Sequence, residues 1–298
     1  MSTEELAIPL RKPFPILPVS FVVLWSSGYI GGAFGVRYGE PFTMTFLRFS
    51  IAAIIFFAVA LRIKAPWPKR WQPYAHAAVV GMLLQVIQFG GLYTGIGHGV
   101  PAGQAALIVG MMPIFVIFGA ARWLGEKLSW RDLPGSVLGV GGVIIVVWSS
   151  LGSSTADASA YLSVCVALFG ITAGTIYQKK FLQGINLWVG CFVQMVVGAA
   201  VMFLLAWNTE TMHVKAVLPF AASVAWIALL NSVGALTLLY EMIRRGEASK
   251  ATNLFHVIPA TTQIMASAVL GEIPNPAAIT GFLVSGSGVY LMNKAHQK

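Results

Sequence analysis

Ten stretches of about 20 mostly apolar residues follow one another with only short polar connections between them, and few folds can absorb such a succession. They run over 16 to 36, 42 to 61, 74 to 95, 102 to 123, 133 to 151, 159 to 178, 187 to 207, 218 to 241, 249 to 270 and 277 to 293. A helix of about 20 apolar residues crosses the hydrocarbon layer of a membrane. The runs are long and unbroken, without the alternation of short strands that a barrel requires, so the expected class is an all-α membrane protein with ten transmembrane helices. The longest connection, around Arg62 to Gln72, is about a dozen residues, which leaves no room for a soluble domain.

Composition agrees with lipid as the main solvent. The chain is 57% hydrophobic and 10% charged, with a mean hydropathy of +0.78. Soluble domains carry about 25% charged residues. The formal net charge of +9 would suit nucleic acid, but its placement argues otherwise. Counting alternate sides of the expected spans puts 16 Lys and Arg on one side and only Arg37 and Lys215 on the other, with Arg48 inside a span. Positive loops stay in the cytoplasm, so both termini are expected inside and no nucleic-acid partner is expected. Arg11 and Lys12 before an apolar run also fit a cleaved signal peptide. The length of the run and the charge count favour a retained helix. Cys165 and Cys191 fall within expected spans and read as buried free thiols.

The two halves align without a gap at an offset of 146 residues. "LGEKL" at 124 to 128 faces "LGEIP" at 270 to 274; Pro113 matches Pro259, Gly28 matches Gly174, Phe46 matches Phe192 and Phe57 matches Phe203. One register held across five spans and their loops is an internal repeat. Five helices per copy is an odd number, so the second copy enters the membrane from the opposite face. The expected organisation is therefore a cytoplasmic segment 1–15, a first repeat 16–151, a second, inverted repeat 159–293 and a cytoplasmic tail 294–298. Inverted repeats are characteristic of secondary transporters, in which the halves exchange conformations to open the site to alternate sides.

"WSSGYIGG", "EPFTMTFLRF", "GLYTGIGHGVPAGQAALIVGMMPIFVIFGAARWLGEKLSWRDLPGSVLGVGGVIIVV" and "YEMIRRGEASKATNLFHVIPATTQIMASAVLGE" together resemble the EamA branch of the drug/metabolite transporter superfamily. The resemblance covers nearly the whole chain. It implies a ten-helix inner-membrane carrier with a central cavity, most often an exporter of amino acids or other small metabolites. No cofactor is expected, and a monomer and a homodimer both stay open. The resemblance also implies an arginine in the second helix, where this chain has Arg48.

Arg48 stands about six residues below the outer end of its span, roughly 9 Å deep at 1.5 Å per residue. A charge at that depth faces the bundle interior or a wet cavity, either as an anchor for neighbouring polar groups or as the partner of a carboxylate-bearing substrate. Its counterpart is Gln194, so the site is electrically lopsided on a symmetric scaffold. Pro113 and Pro259 near the middle of spans 4 and 9 are expected to kink helices that line the pathway. Asn253, His256 and Gln263 share roughly one face of span 9 as a polar stripe. Histidine can exchange a proton near neutral pH. Gln85 and Asn231 are a matched pair, with Gln88 and Tyr93 nearby, and amides suit zwitterionic or uncharged ligands as well as helix-to-helix bonds. Trp25 and Tyr29 are candidate aromatic walls. Gly125 with Glu126, and Gly271 with Glu272, read as structural turns in which each glutamate faces the positive start of the next helix.

No Walker motif, metal-ligand spacing or nucleophile elbow is present, so neither a metal nor an enzyme is expected. The first span lacks the membrane carboxylate that small multidrug relatives use for proton exchange, and Glu241 is the one acid inside an expected span. Proton or other ion coupling and facilitated diffusion therefore both stay open. The reading is a secondary transporter of a small polar or amphiphilic metabolite; its rivals are a membrane sensor or assembly subunit without flux, and an intramembrane enzyme.

Overall fold

Turn chemistry written into the sequence sets the helix ends in the computed structural model, which describes residues 16–126, 132–150, 156–244 and 254–296. α1 (Ile16–Gly35) leads to α2 (Pro41–Arg62), where proline occupies the first turn at no cost because the N–H it lacks has no intrahelical partner. α3 (Gln72–Gly97) and α4 (Ala102–Leu124) follow. α4 stops at Gly125, whose φ of +71° is the left-handed conformation that glycine adopts freely; the Glu126 N–H then returns to the Ala120 carbonyl. After α5 (Asp132–Ser150), Asp157 caps α6 (Ala158–Phe181) by accepting from the Ala160 N–H at 2.9 Å. Asn186 likewise caps α7 (Leu187–Thr209). Segments Val217–Ala225, Trp226–Ala235 and Leu236–Arg244 run on as α8. α9 (Ile258–Leu270) ends at Gly271 with φ +72°, repeating the Gly125 stop, and α10 (Pro276–His296) completes the described chain.

Seven of these helices are long and apolar enough to cross a membrane, and Leu133–Ser149 and Ile258–Leu270 are shorter apolar helices. No strand occurs among the described residues. Two departures from regular α-helix matter for the site. α4 is interrupted at Gly110 and Met111, so Pro113 sits in the first turn of its second half (Met112–Leu124) instead of kinking a continuous helix. Pro259 holds the same place in α9. The expected mid-helix kinks are thus helix starts, where proline removes no hydrogen bond. The other departure is a wide π-helical stretch in α3 (Met82–Ile87) and another at the matching register of α8 (Trp226–Ala235).

The halves interlock as two-fold partners. α1 packs against α8 and α9 of the other half, and its counterpart α6 against α3 and α4. α2 lies along α7: the Phe46 ring packs tilted against Phe203 at 5.1 Å between centroids, and Phe57 against Phe192 at 5.0 Å. Each ring meets the repeat counterpart of the other, which requires the matched helices to run antiparallel about a two-fold axis. α5 and α10 obey the same rule. A Cβ at Gly142 would collide with Gly281, and one at Gly288 with Gly135, so glycine lets these two backbones touch. Cys191 is buried, but Cys165 is exposed, contrary to expectation; α6 turns it outward on the face that also presents Leu162 and Phe169.

Candidate functional site

Arg48 is only 2% exposed, and three neutral acceptors hold it. Its Nε donates to Ser232 Oγ at 2.7 Å, Nη1 to the Tyr93 hydroxyl at 2.8 Å and Nη2 to Asn231 Oδ1 at 2.7 Å. The guanidinium carbon lies 4.0 Å from the centroid of the Phe89 ring, whose π face attracts a cation. Tyr93 passes the network on by donating to the Gly28 carbonyl at 3.3 Å. Asn231 Nδ2 donates to the Leu24 and Trp25 carbonyls, both at 3.3 Å. Charge-assisted bonds of this kind contribute about 1.5–3 kcal/mol each. The cluster therefore clamps α1, α2, α3 and α8 together around a single positive charge, and none of Arg48's partners among the described residues is a carboxylate.

The cluster forms one end of a cavity of about 930 Å³. The cavity extends from Arg48 and Tyr93, past Trp25, Tyr29 and Met195 at mid-length, to Lys179 and Gln183 at the exposed end of α6. Gln85, Gln88, Asn231, His256 and Pro113 also line it. Gln85 and Gln88 are buried, and neither makes a side-chain hydrogen bond among the described residues, so their amides are available to a guest. Trp25 packs edge-on to Phe255, with centroids 5.0 Å apart, as part of the wall. At the far end of the helices the main chain is closed: Lys215 N–H donates to the Tyr38 carbonyl at 2.8 Å, and Glu210 accepts from the Phe42 and Thr43 N–H groups, both at 2.7 Å.

Not every candidate from the sequence reaches the cavity. Asn253 lies outside the described residues. Gln263 points away, with its amide donating to Ser267 Oγ at 3.2 Å and to the Glu272 carbonyl at 3.4 Å, so the expected stripe on α9 does not form one lining face. Pro259 packs against Gly110 at the break in α4, where the absence of a Cβ makes room for its ring. One of the two turn glutamates also departs from expectation. Glu272 does not face the next helix, α10, which Asn275 caps; its carboxylate accepts from Ala102 N–H at 3.0 Å and Gly103 N–H at 3.3 Å, at the start of α4 in the other repeat. Glu126 pairs with Lys179 of α6 at 2.5 Å.

Sequence reasoning overlooked Ser232, Phe89 and Lys179. Asn231 and Ser232 are neighbours in the chain, and in a regular α-helix they would point about 100° apart. Both lie in the π-helical stretch of α8 and both accept from Arg48, so α-helical periodicity alone would not have paired them. Phe89 had a legible cue: it lies between Gln88 and Tyr93 on the same span.

The EamA-like transporter family matches this chain twice, over residues 15–148 and 158–294. The chain is 26% identical to a "Probable terminal-alkyne amino-acid exporter" of Streptantibioticus cattleyicolor, covering 92% of this chain and 91% of that protein. It is 22% identical to a "Probable amino-acid metabolite efflux pump" of Salmonella typhimurium, over 92% and 93%, and 23% identical to the "Uncharacterized inner membrane transporter YedA" of Escherichia coli strain K12, over 88% and 85%. A solved crystal structure 16% identical in sequence superposes with a TM-score of 0.68 over 95% of this chain and 96% of that one, which shows a common fold. With both family matches laid across its two interlocked halves, the chain belongs to the EamA-like transporter family and is a multi-pass membrane transporter of the drug/metabolite type, not an enzyme.

Proposed function

We propose that this protein is an exporter of the inner membrane that moves a small polar or amphiphilic metabolite, an amino acid or a similar compound, by alternating access. The observation that carries the reading is the cavity of about 930 Å³ walled by both repeats, blind at Arg48 and running to exposed Lys179 and Gln183. That volume suits a small-molecule guest. The lysine- and arginine-rich connections assign the Lys179 end to the cytoplasm, so the cavity is the inward-facing, loading state of an exporter with ten spans and both termini inside. Antiparallel, two-fold related halves supply the mechanism, because exchanging their conformations would seal the Lys179 end and open the Lys215 end. The names of two relatives, an amino-acid exporter and an amino-acid metabolite efflux pump, support both the direction and the cargo class.

Counterflow in proteoliposomes tests the reading. Vesicles that contain the purified protein and are loaded with unlabelled amino acids or their derivatives should take up the labelled compound faster than unloaded ones and with saturation, and comparison with and without a pH gradient decides whether a proton is coupled. Flux that never saturates, or none with any amino-acid-like compound, would overturn it.

A further inference from the structure

The cavity is electrostatically one-sided. Among the described residues its wall holds two cations, Arg48 and Lys179, and no aspartate or glutamate. Lys179 is balanced by Glu126, but the partners of Arg48 are a phenol, an amide and a hydroxyl, none of which bears a negative charge at neutral pH. A guanidinium has five N–H groups, and three are used, leaving one on each of Nη1 and Nη2. An anchoring role alone would be met by neutral donors, without the cost of holding an uncompensated charge away from water. A carboxylate entering the cavity removes that cost and matches the planar donor fork.

An ammonium group has no such reception. It would add positive charge beside Arg48 in a wall that, among the described residues, holds no carboxylate, leaving neutral groups such as amide oxygens, hydroxyls and ring faces to satisfy it. Gln85 and Gln88, by contrast, offer both donors and acceptors to a neutral amide, and Trp25, Tyr29 and Phe255 offer apolar surface. We propose that the cavity selects organic anions with a carboxylate, an apolar or aromatic body and no ammonium group, of which N-acylated amino acids are the type, over free zwitterionic amino acids and over amines. The proposal rests on the transporter reading of this cavity and narrows its cargo.

Equilibrium binding to the purified full chain tests it with four probes that share one ring: N-acetyl-L-phenylalanine, its neutral amide, L-phenylalanine and phenethylamine. The expected result is that N-acetyl-L-phenylalanine binds at least about tenfold more tightly than each of the others. Arg48→Gln should reduce the preference over the neutral amide to about one, and Arg48→Lys should keep part of it. The ranking on the unaltered protein decides the matter even if Arg48→Gln fails to fold. Equal or tighter binding of L-phenylalanine or phenethylamine, or no binding of N-acetyl-L-phenylalanine, overturns the proposal. Counterflow separates the two claims: saturable flux of phenethylamine overturns the selectivity and leaves the transporter standing, whereas selective binding without any flux does the reverse.

Discussion

Gly28 shows how little room the site leaves at the level of single residues. A Cβ there would run into the Asn231 amide, the group that accepts from Arg48 Nη2. Gly28→Ala is therefore expected to displace Asn231, destabilise the protein by about 1–3 kcal/mol as overpacking does, and cut transport. Gly286, on α10, is the matched control: an added Cβ has nothing within 4 Å, so Gly286→Ala should be neutral or stabilising by up to about 1 kcal/mol. Thermal unfolding in detergent and flux in vesicles measure both. Arg48 was legible from the chain because a charge inside an apolar run demands a polar destination, and Tyr93 and Asn231 were legible as polar residues in spans. That Arg48 bonds those two, plus Ser232, was not. The choice of partner depends on how α2, α3 and α8 are turned about their axes, and nothing within one span encodes that.

At the level of elements, helix ends are joined across the repeat boundary by carboxylates. Glu210, just after α7, accepts from Phe42 N–H, Thr43 N–H and Thr43 Oγ1 at the start of α2, each at 2.7 Å. The interaction combines a cap with favourable placement of negative charge at a helix N-terminus. Glu210→Ala should cost about 2 kcal/mol, read as a lowered unfolding temperature, whereas Glu210→Gln should recover part of the loss. The repeat alignment finds the glycine stops, since Gly125 and Gly271 need a left-handed backbone wherever they sit. It does not find the glutamate contacts. Glu272 follows a matched stop yet caps α4, far away in sequence, because spatial proximity at the membrane surface is set by how the two halves interlock.

For the whole molecule, the proposed alternating access places the expected motion at the end where the antiparallel halves meet through Tyr38 and Lys215. Tyr38 and Lys215 meet through a backbone hydrogen bond of 2.8 Å at the closed end, which makes them the pair to cross-link. With Cys165 and Cys191 first replaced, the pair Tyr38→Cys and Lys215→Cys is expected to lock that end when oxidised, abolish flux and release it on reduction; undiminished flux from the oxidised pair would show that this end does not open. Lys64 and Lys215 are both exposed and should react with an impermeant amine reagent from opposite sides of the membrane. Reaction of both from one side would refute the inverted topology.

The sequence by itself determined that this chain lives in lipid, that it is a duplication, and that one arginine needs a polar refuge within a span. Hydrophobic length, a constant 146-residue register and the cost of a bare charge are properties of the chain that survive without coordinates. Only the tertiary structure decided which side of each helix faces the cavity, that Gln85 joins the wall while Gln263 does not, and that α4 breaks before Pro113. The physical reason is that lipid and protein interior are both apolar. In water a helix declares its inner face by its periodicity, but in a membrane either face can point inward, and only packing against the other half chooses.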